Sequence, residues 1–284
     1  MSRILVFGST GQVAQELSCF GNVKCLSRVD ADLKDPHRCA EAIKHHAPVA
    51  VINAAAYTAV DEAESDEEIA EVINAYSPKA MAEACKEMGI PFVHISTDYV
   101  FNGSGIEAFT PNDQTSPLNS YGRTKLFGEH LIKNSGCIFL ILRTSWVFSA
   151  HGNNFVKTML RLGEKKDHLS VVSDQVGGPT SARTIAQACV NIAEQLNEAP
   201  DKSGIYHLSG APYISWAEFA TNIFKLASMR VRVTGIPTAE YPTPAVRPLN
   251  SRLDCSDIEK VFGIGQPDWR AELKSVLSEL GVVS

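Results

Sequence analysis

Tyr121 and Lys125 stand four residues apart in Tyr121-Gly122-Arg123-Thr124-Lys125, a stretch that reads as the start of a helix. Positions i and i+4 share one helix face, so a phenol and an ammonium lie one turn apart. A free phenol has a pKa of about 10, too high for an efficient acid near neutral pH. Two unit charges about 4 Å apart at an effective dielectric near 20 interact by about 4 kcal/mol, an upper bound of roughly three pKa units. Desolvation opposes this, so the expected lowering of the phenol is about one to three units. Thr97 offers a hydroxyl to an oxygen on which charge develops, and Asp98 a carboxylate that accepts from hydroxyl groups. Tyr121 and Lys125 are therefore a candidate acid pair, and Thr97 and Asp98 a hydroxyl and a carboxylate poised for substrate.

The elements before this stretch build a floor for a dinucleotide. Ile4-Leu5-Val6-Phe7 reads as a buried strand, followed by Gly8-Ser9-Thr10-Gly11-Gln12-Val13-Ala14 and a helix to about Phe20. Strand, glycine turn and helix open a βαβ unit that places a pyrophosphate at a helix N-terminus. Gly8, Thr10, Gly11, Gln12 and Val13 are its expected cofactor residues. A second strand, Val23 to Leu26, ends at Ser27-Arg28, where an acid would favour NAD; an arginine suits the 2′-phosphate of NADP. A third strand ends in Asn53-Ala54-Ala55-Ala56, small residues against which a flat ligand can lie. Asp61 to Glu71, dense in acid, reads as a helix start with its carboxylates facing water. Phe92 to Ser96 is a fourth strand that delivers Thr97 and Asp98 at its C-terminal end, where an open parallel sheet binds ligands. Residues 102 to 118 read as a loop over the site.

The second half supplies a pocket. A strand from Ile138 to Leu142 leads to Trp146, placed to stack on a ring or to fill core. Asn153 and Asn154 precede a helix to Leu162, where they cap it or reach a ligand. Leu169 to Ser173 is a strand, residues 181 to 196 an amphipathic helix, and Gly204 to Leu208 a short strand. Ser215-Trp216-Ala217-Glu218 has the form of a capping box. Arg247 and Arg252, after a proline-stiffened loop, form surface ion pairs or clasp a diphosphate.

The chain has 284 residues, 44% of them hydrophobic and 20% charged, with a formal net charge of −6. That length accommodates a large core, and the acidic balance gives no electrostatic reason for nucleic-acid or membrane binding. The seven cysteines show no C-x-x-C spacing and are expected to be reduced, buried and apolar. With no signal peptide and no long apolar span, a cytoplasmic location is expected. His45 and His46 lack ligand partners at metal spacing.

Taken jointly, the glycine turn, Asn53-Ala54-Ala55-Ala56, Ser96-Thr97-Asp98 and Tyr121-x-x-x-Lys125 resemble the extended short-chain dehydrogenase/reductases. Ser96 to Phe101, Ser116-Pro117-Leu118-Asn119, Arg143 to Val147, Gly152 to Phe155, Asp174-Gln175 and Arg247-Pro248-x-Asn250-Ser251-Arg252-Leu253 narrow the resemblance to the dTDP-4-dehydrorhamnose reductase family, over nearly the whole chain. The resemblance implies an α/β, Rossmann-type doubly wound parallel sheet. Residues 1–146 would bind the dinucleotide, with a return to that domain at about 168–207, and a smaller C-terminal domain, mainly 147–284, would bind substrate. It implies reduction of the 4-keto group of dTDP-4-dehydro-L-rhamnose to dTDP-L-rhamnose by NADPH, with NADH as the alternative. Thr97, Tyr121 and Lys125 would be catalytic. Thr97, Asp98, Trp146 and the Gln175 region would meet the nucleotide sugar. Gly11, Gln12, Asp32, Leu33 and Ala54 to Ala56 would meet the cofactor, and Lys125 its nicotinamide ribose. A homodimer is the assembly the resemblance admits. Some members hold Mg²⁺ through glutamates at a dimer contact; here Glu16 matches one position but Thr184 stands at another, so no metal is expected. An epimerase, a dehydratase or a non-catalytic NADP-binding regulatory subunit are the competing readings. Asp98-Tyr99, in place of the Asp-Glu pair of the dehydratases, argues against dehydration.

Overall fold

The computed structural model describes residues 3–283. Five short strands alternate with helices in the first half: β1 Ile4–Phe7, α1 Gln12–Leu17, β2 Val23–Leu26, α2 Pro36–His46, β3 Ala50–Asn53, α3 Glu67–Glu71, α4 Ser77–Met88, β4 Phe92–Thr97, α5 Ser120–Ser135 and β5 Phe139–Thr144. Strands such as β1 and β3, buried at every position, are apolar on both faces because helices cover both sides. The remainder comprises β6 Val147–Phe148, α6 Phe155–Gly163, β7 His168–Val172, β8 Val176–Gly177, β9 Thr180–Ser181, α7 Ala182–Glu198, β10 Gly204–His207, β11 Ile214–Ser215, α8 Trp216–Leu226, β12 Arg232–Ile236, β13 Asn250–Ser251, α9 Ser256–Phe262 and α10 Trp269–Glu279.

The main sheet has six strands in the order β10-β5-β4-β3-β1-β2, all parallel. This is the expected doubly wound α/β architecture. One face buries Ile4, Val6, Ile52 and Leu142 against α7 and α9, the other Leu5, Phe7, Val51 and Ile141 against α2 and α4. The return to this sheet is made by α7 and β10. β7, which lies in the expected return segment, instead pairs with β12 as a two-stranded sheet. Its Leu169 and Val171 join Phe219, Ile223, Phe224 and Trp269 in a separate core between α6, α8 and α10. The reason is local: β7 alternates exposed and buried residues, the pattern of a strand covered on one face only.

Caps hold the helix starts. Asn119 accepts from Gly122 N at 2.8 Å at the start of α5, and Ser215 with Glu218 forms the expected capping box on α8. The acidic stretch does more than face water. Glu64 accepts from Ser120 N at 2.7 Å and Glu67 from Arg123 at 2.9 and 3.0 Å, fixing the first turn of α5. All seven cysteines are free; five are buried as expected, Cys25 is half-buried, and Cys19 departs from the expectation by facing solvent.

Candidate active site

At the C-terminal edge of the main sheet lies a cavity of about 510 Å³. Its floor is the turn after β1. Gly8 has φ +111°, a conformation costly to any residue with a Cβ, and Gly8 N donates to Leu26 O at 3.0 Å. Thr10, Gly11, Gln12 and Val13 line the cavity, and Ala54, Ala55 and Ala56 face them from the end of β3. A Cβ on Gly8 would touch the Ala55 Cβ at 3.4 Å, so the turn closes tightly on the alanine run. These small residues and exposed amides fit a dinucleotide phosphate.

β4 delivers Thr97 and Asp98, both buried, and α5 delivers Tyr121 and Lys125; all four line the cavity. Gly122 and Gly128 let α5 press close, since a Cβ on the first would strike the Tyr99 carbonyl and one on the second the Asn74 carbonyl. Thr97 Oγ1 donates to Asp98 Oδ1 at 3.1 Å, and Tyr99 stacks edge-on against Tyr121 at 5.6 Å. The second carboxylate oxygen of Asp98 is buried without a partner. Burial pushes the Asp98 carboxyl up to about 6, against the hydrogen bond from Thr97.

One expectation is corrected. Burial pushes the Tyr121 phenol up to about 12, with only the Thr97 hydroxyl drawing it back. The Lys125 ammonium does not reverse this, because its Nζ is turned toward β4. It lies 2.9 Å from His94 Nε2 and donates to Ile95 O at 2.7 Å. Burial lowers Lys125 itself to about 8. Desolvation dominates at both groups, outweighing the Thr97 hydrogen bond at Tyr121 and the attraction of Glu129 at Lys125.

Trp146 lines the cavity from the end of β5 with φ +49°, stacked on Trp216 at 3.6 Å between ring centroids. Gly177 lacks the Cβ that would strike its indole. Asn153 lines the opening. Asn154 also lines it, but its side chain caps α6 and donates to Gln12 Oε1 at 3.0 Å, tying the glycine turn to the second lobe. Thr58 and Val60 line the wall without any sequence signal, and Ser145 and Thr144, known only as part of the Arg143 to Val147 stretch, join them, the buried Thr144 hydroxyl without a partner. Their positions follow strand ends, which register alone brings together: Thr97 pairs with Thr144.

Gly8 shapes the turn without lining the cavity, and seven further expected residues lie away from its wall. Arg247 is bidentate to Asp61 at 2.8 and 2.7 Å, and Arg252 donates to Asn250 Oδ1 at 2.9 Å; each guanidinium already has a neutral or acidic partner. Gln175 is buried and donates to Thr238 at 3.1 Å. Ser27 binds Asp30 by main chain and hydroxyl, Asp32 accepts from Lys34 N, and Leu33 is core. Arg28 is exposed at the end of β2, the strand beside the glycine turn.

Glu16, His151 and Glu279 place ligand atoms within 4.8 Å of one another. This cluster does not fit Mg²⁺. Arg183 already bridges the two carboxylates, at 3.2 Å to Glu16 and 2.7 Å to Glu279, and a hard divalent ion asks for oxygen ligands in place of imidazole. Thr184 donates to Glu272.

The geometry agrees with what comparison of the chain shows. The dTDP-4-dehydrorhamnose reductase of Sinorhizobium fredii is 41% identical over 285 residues, covering 97% of this chain and 96% of that protein. A crystal structure of a dTDP-4-dehydrorhamnose reductase from Clostridium acetobutylicum superposes with a TM-score of 0.90 at 36% identity, over 98% of this chain and 99% of that one. The Bacillus anthracis enzyme of the same name, solved in complex with NADP, gives a TM-score of 0.88 at 33% identity over 98% of this chain and 100% of that one. The family model described as RmlD substrate binding domain matches residues 1–282. With that match across nearly its whole length, the chain belongs to the RmlD substrate binding domain family.

Proposed function

We propose that the protein is an NADPH-dependent oxidoreductase that reduces the 4-keto group of dTDP-4-dehydro-L-rhamnose to give dTDP-L-rhamnose. The observation that carries this reading is one cavity with two unlike walls: a glycine turn and alanine run on one side, Thr97, Tyr121 and Lys125 on the other. The name shared by the full-length relatives, one of them holding NADP, supplies the substrate and the cofactor. Bound NADPH supplies a hydride to the ketone carbon. Gly8, Thr10, Gly11, Gln12, Val13 and Ala54 to Ala56 hold the dinucleotide, and Arg28 approaches the 2′-phosphate.

The remaining work falls to the chain. Thr97 donates to the ketone oxygen and holds it as negative charge grows, an oxyanion contact made strong by burial. Tyr121, kept protonated by its buried setting, gives its proton to that oxygen. Lys125 binds the nicotinamide ribose and stabilises the resulting phenolate. Asp98 accepts from sugar hydroxyls with its free oxygen, and Trp146, propped by Trp216, offers a flat face to the sugar. In this reading the six-stranded sheet is the dinucleotide domain and the α6–α8–α10 lobe backs the sugar pocket through Trp216 behind Trp146. The protein works in the cytoplasm, in keeping with the absence, among the described residues, of a helix long and apolar enough to cross a membrane.

The test is direct. Protein mixed with dTDP-4-dehydro-L-rhamnose and NADPH should consume the reduced-nicotinamide absorbance; no loss with NADPH or NADH refutes the assignment.

A further inference from the structure

Behind Lys125, on the side away from the cavity, runs a buried hydrogen-bond chain that the catalytic roles above do not use. Ala55 N donates to Asn53 Oδ1 at 3.1 Å, Asn53 Nδ2 lies 3.1 Å from His94 Nδ1, and His94 Nε2 lies 2.9 Å from Lys125 Nζ. Asn53 is 1% exposed and His94 is fully buried. We propose that His94, oriented by Asn53, is a positioning residue that presents a ring N–H to Lys125 Nζ and so makes Lys125 a titratable amine in place of a fixed ammonium. The inference concerns the acid–base state of Lys125 and rests on the reading of Lys125 as part of the reductase site only for its use in turnover.

The direction of the chain follows from its far end. The main-chain amide of Ala55 can only donate, so it fixes Asn53 Oδ1 as its acceptor. The other end of that side-chain amide is then NH₂ and donates to His94 Nδ1. Burial and the neighbouring Lys125 both hold His94 well below its usual pKa, so its ring carries a single proton. With Nδ1 accepting, that proton sits on Nε2, facing Lys125 Nζ. An ammonium has three donors and no acceptor, and would meet Nε2–H head-on. An amine accepts this bond on its lone pair, donates to Ile95 O at 2.7 Å, and keeps one N–H for the cavity. Protonating Lys125 requires the chain to reverse: Nε2 becomes the acceptor, Nδ1–H donates, the Asn53 amide turns over, and Ala55 N loses its acceptor. The ammonium thus carries the cost of a broken buried hydrogen bond.

The other groups around Nζ do not cancel this. Tyr121 and Glu129 lie on the same helix, Asp98 follows β4, and Arg143 comes from β5. Glu129 raises the proton affinity of Lys125, but Arg143 neutralises it through contacts of 2.6 to 3.2 Å. Burial, only partly offset by Glu129, leaves Lys125 at about 8, against 10.5 for an ordinary lysine. A lysine so placed takes up and returns a proton within the working pH range, as replenishing Tyr121 demands.

The test reads Lys125 without reference to turnover. In cofactor-free protein labelled with ¹³C at the lysine ε-carbon, the Lys125 signal, assigned by its loss in Lys125→Met, should titrate near pH 8. In His94→Gln a carboxamide free to turn its oxygen toward Nζ replaces Nε2–H, and the midpoint should rise by about one pH unit or more. An unchanged midpoint, or a wild-type midpoint near 10.5, overturns the proposal. The unaltered protein gives a second check: ¹⁵N shifts of the His94 ring should show Nδ1 bare and Nε2 protonated, and the reverse tautomer overturns it. Absence of sugar reduction with the expected titration would sink the proposed function and leave this inference standing. Reduction with an ordinary lysine titration would do the opposite.

Discussion

α5 carries two buried charge-bearing residues one turn apart, and they are treated in opposite ways. Glu129 meets Arg143 bidentately, with Ser96 adding a hydroxyl donor at 2.5 Å, so each buried charge has an opposite charge fixed beside it. Lys125 meets an imidazole and a main-chain carbonyl, neither of them charged, and its proton is loosely held. A buried ion keeps its charge when an opposite charge is fixed beside it and becomes titratable when its partners are neutral. The first arrangement fixes α5 to β4 and β5; the second serves chemistry on the cavity side of the same helix.

The largest effect expected from breaking the chemical side is on rate. Tyr121→Phe should lower turnover about 10³-fold, in the usual range for losing a general acid, while NADPH affinity measured by fluorescence titration stays near wild type. Lys125→Met should cut turnover comparably and lower unfolding free energy by about 1–3 kcal/mol, because it strands only the neutral His94 ring N–H and Ile95 carbonyl. Arg143→Met removes the cation from the buried ion pair and strands Glu129, a cost of about 3–5 kcal/mol in urea unfolding. Equal stability losses in these two variants would dissolve the contrast.

Asp98 extends the comparison to a buried acid without a cation. Its carboxyl holds a proton up to about 6 in the folded chain, above the 3.8 of an ordinary aspartate. Between those values the folded state binds more protons than the unfolded state, so folding stability falls as pH rises from about 4 to 6 and is flat above. Asp98→Asn should abolish that fall, gaining about 2 kcal/mol relative to wild type at pH 8 over pH 4. A wild-type curve that rises across this window would refute it. Arg28, exposed at the end of β2, is the mildest case. Arg28→Asp should raise KM for NADPH about tenfold, with little change for NADH. Equal changes would remove Arg28 from 2′-phosphate recognition.

Much of the site is readable from local pattern. The glycine turn, the alanine run and Thr97-Asp98 stand at strand ends, and a parallel sheet brings its strand ends to one edge. Arg247 and Arg252 show where such reading stops. Their type and order suit a diphosphate, but whether a guanidinium is free depends on Asp61 and Asn250, one of them far away in sequence. The strand at 168–172 alternates polar and apolar residues, which marks it as covered on one face, but its partner β12 lies more than 60 residues on and is set only by packing.

The Tyr121–Lys125 pair divides the two kinds of information. Sequence by itself determined that a phenol and an amine share one helix face at the mouth of a dinucleotide fold, because the helical repeat and the glycine turn are local geometry. Which way the amine points, and which proton it holds, was decided by tertiary structure alone. Those depend on desolvation and on His94 and Asn53, residues 31 and 72 positions before it, whose approach only sheet register and packing can set.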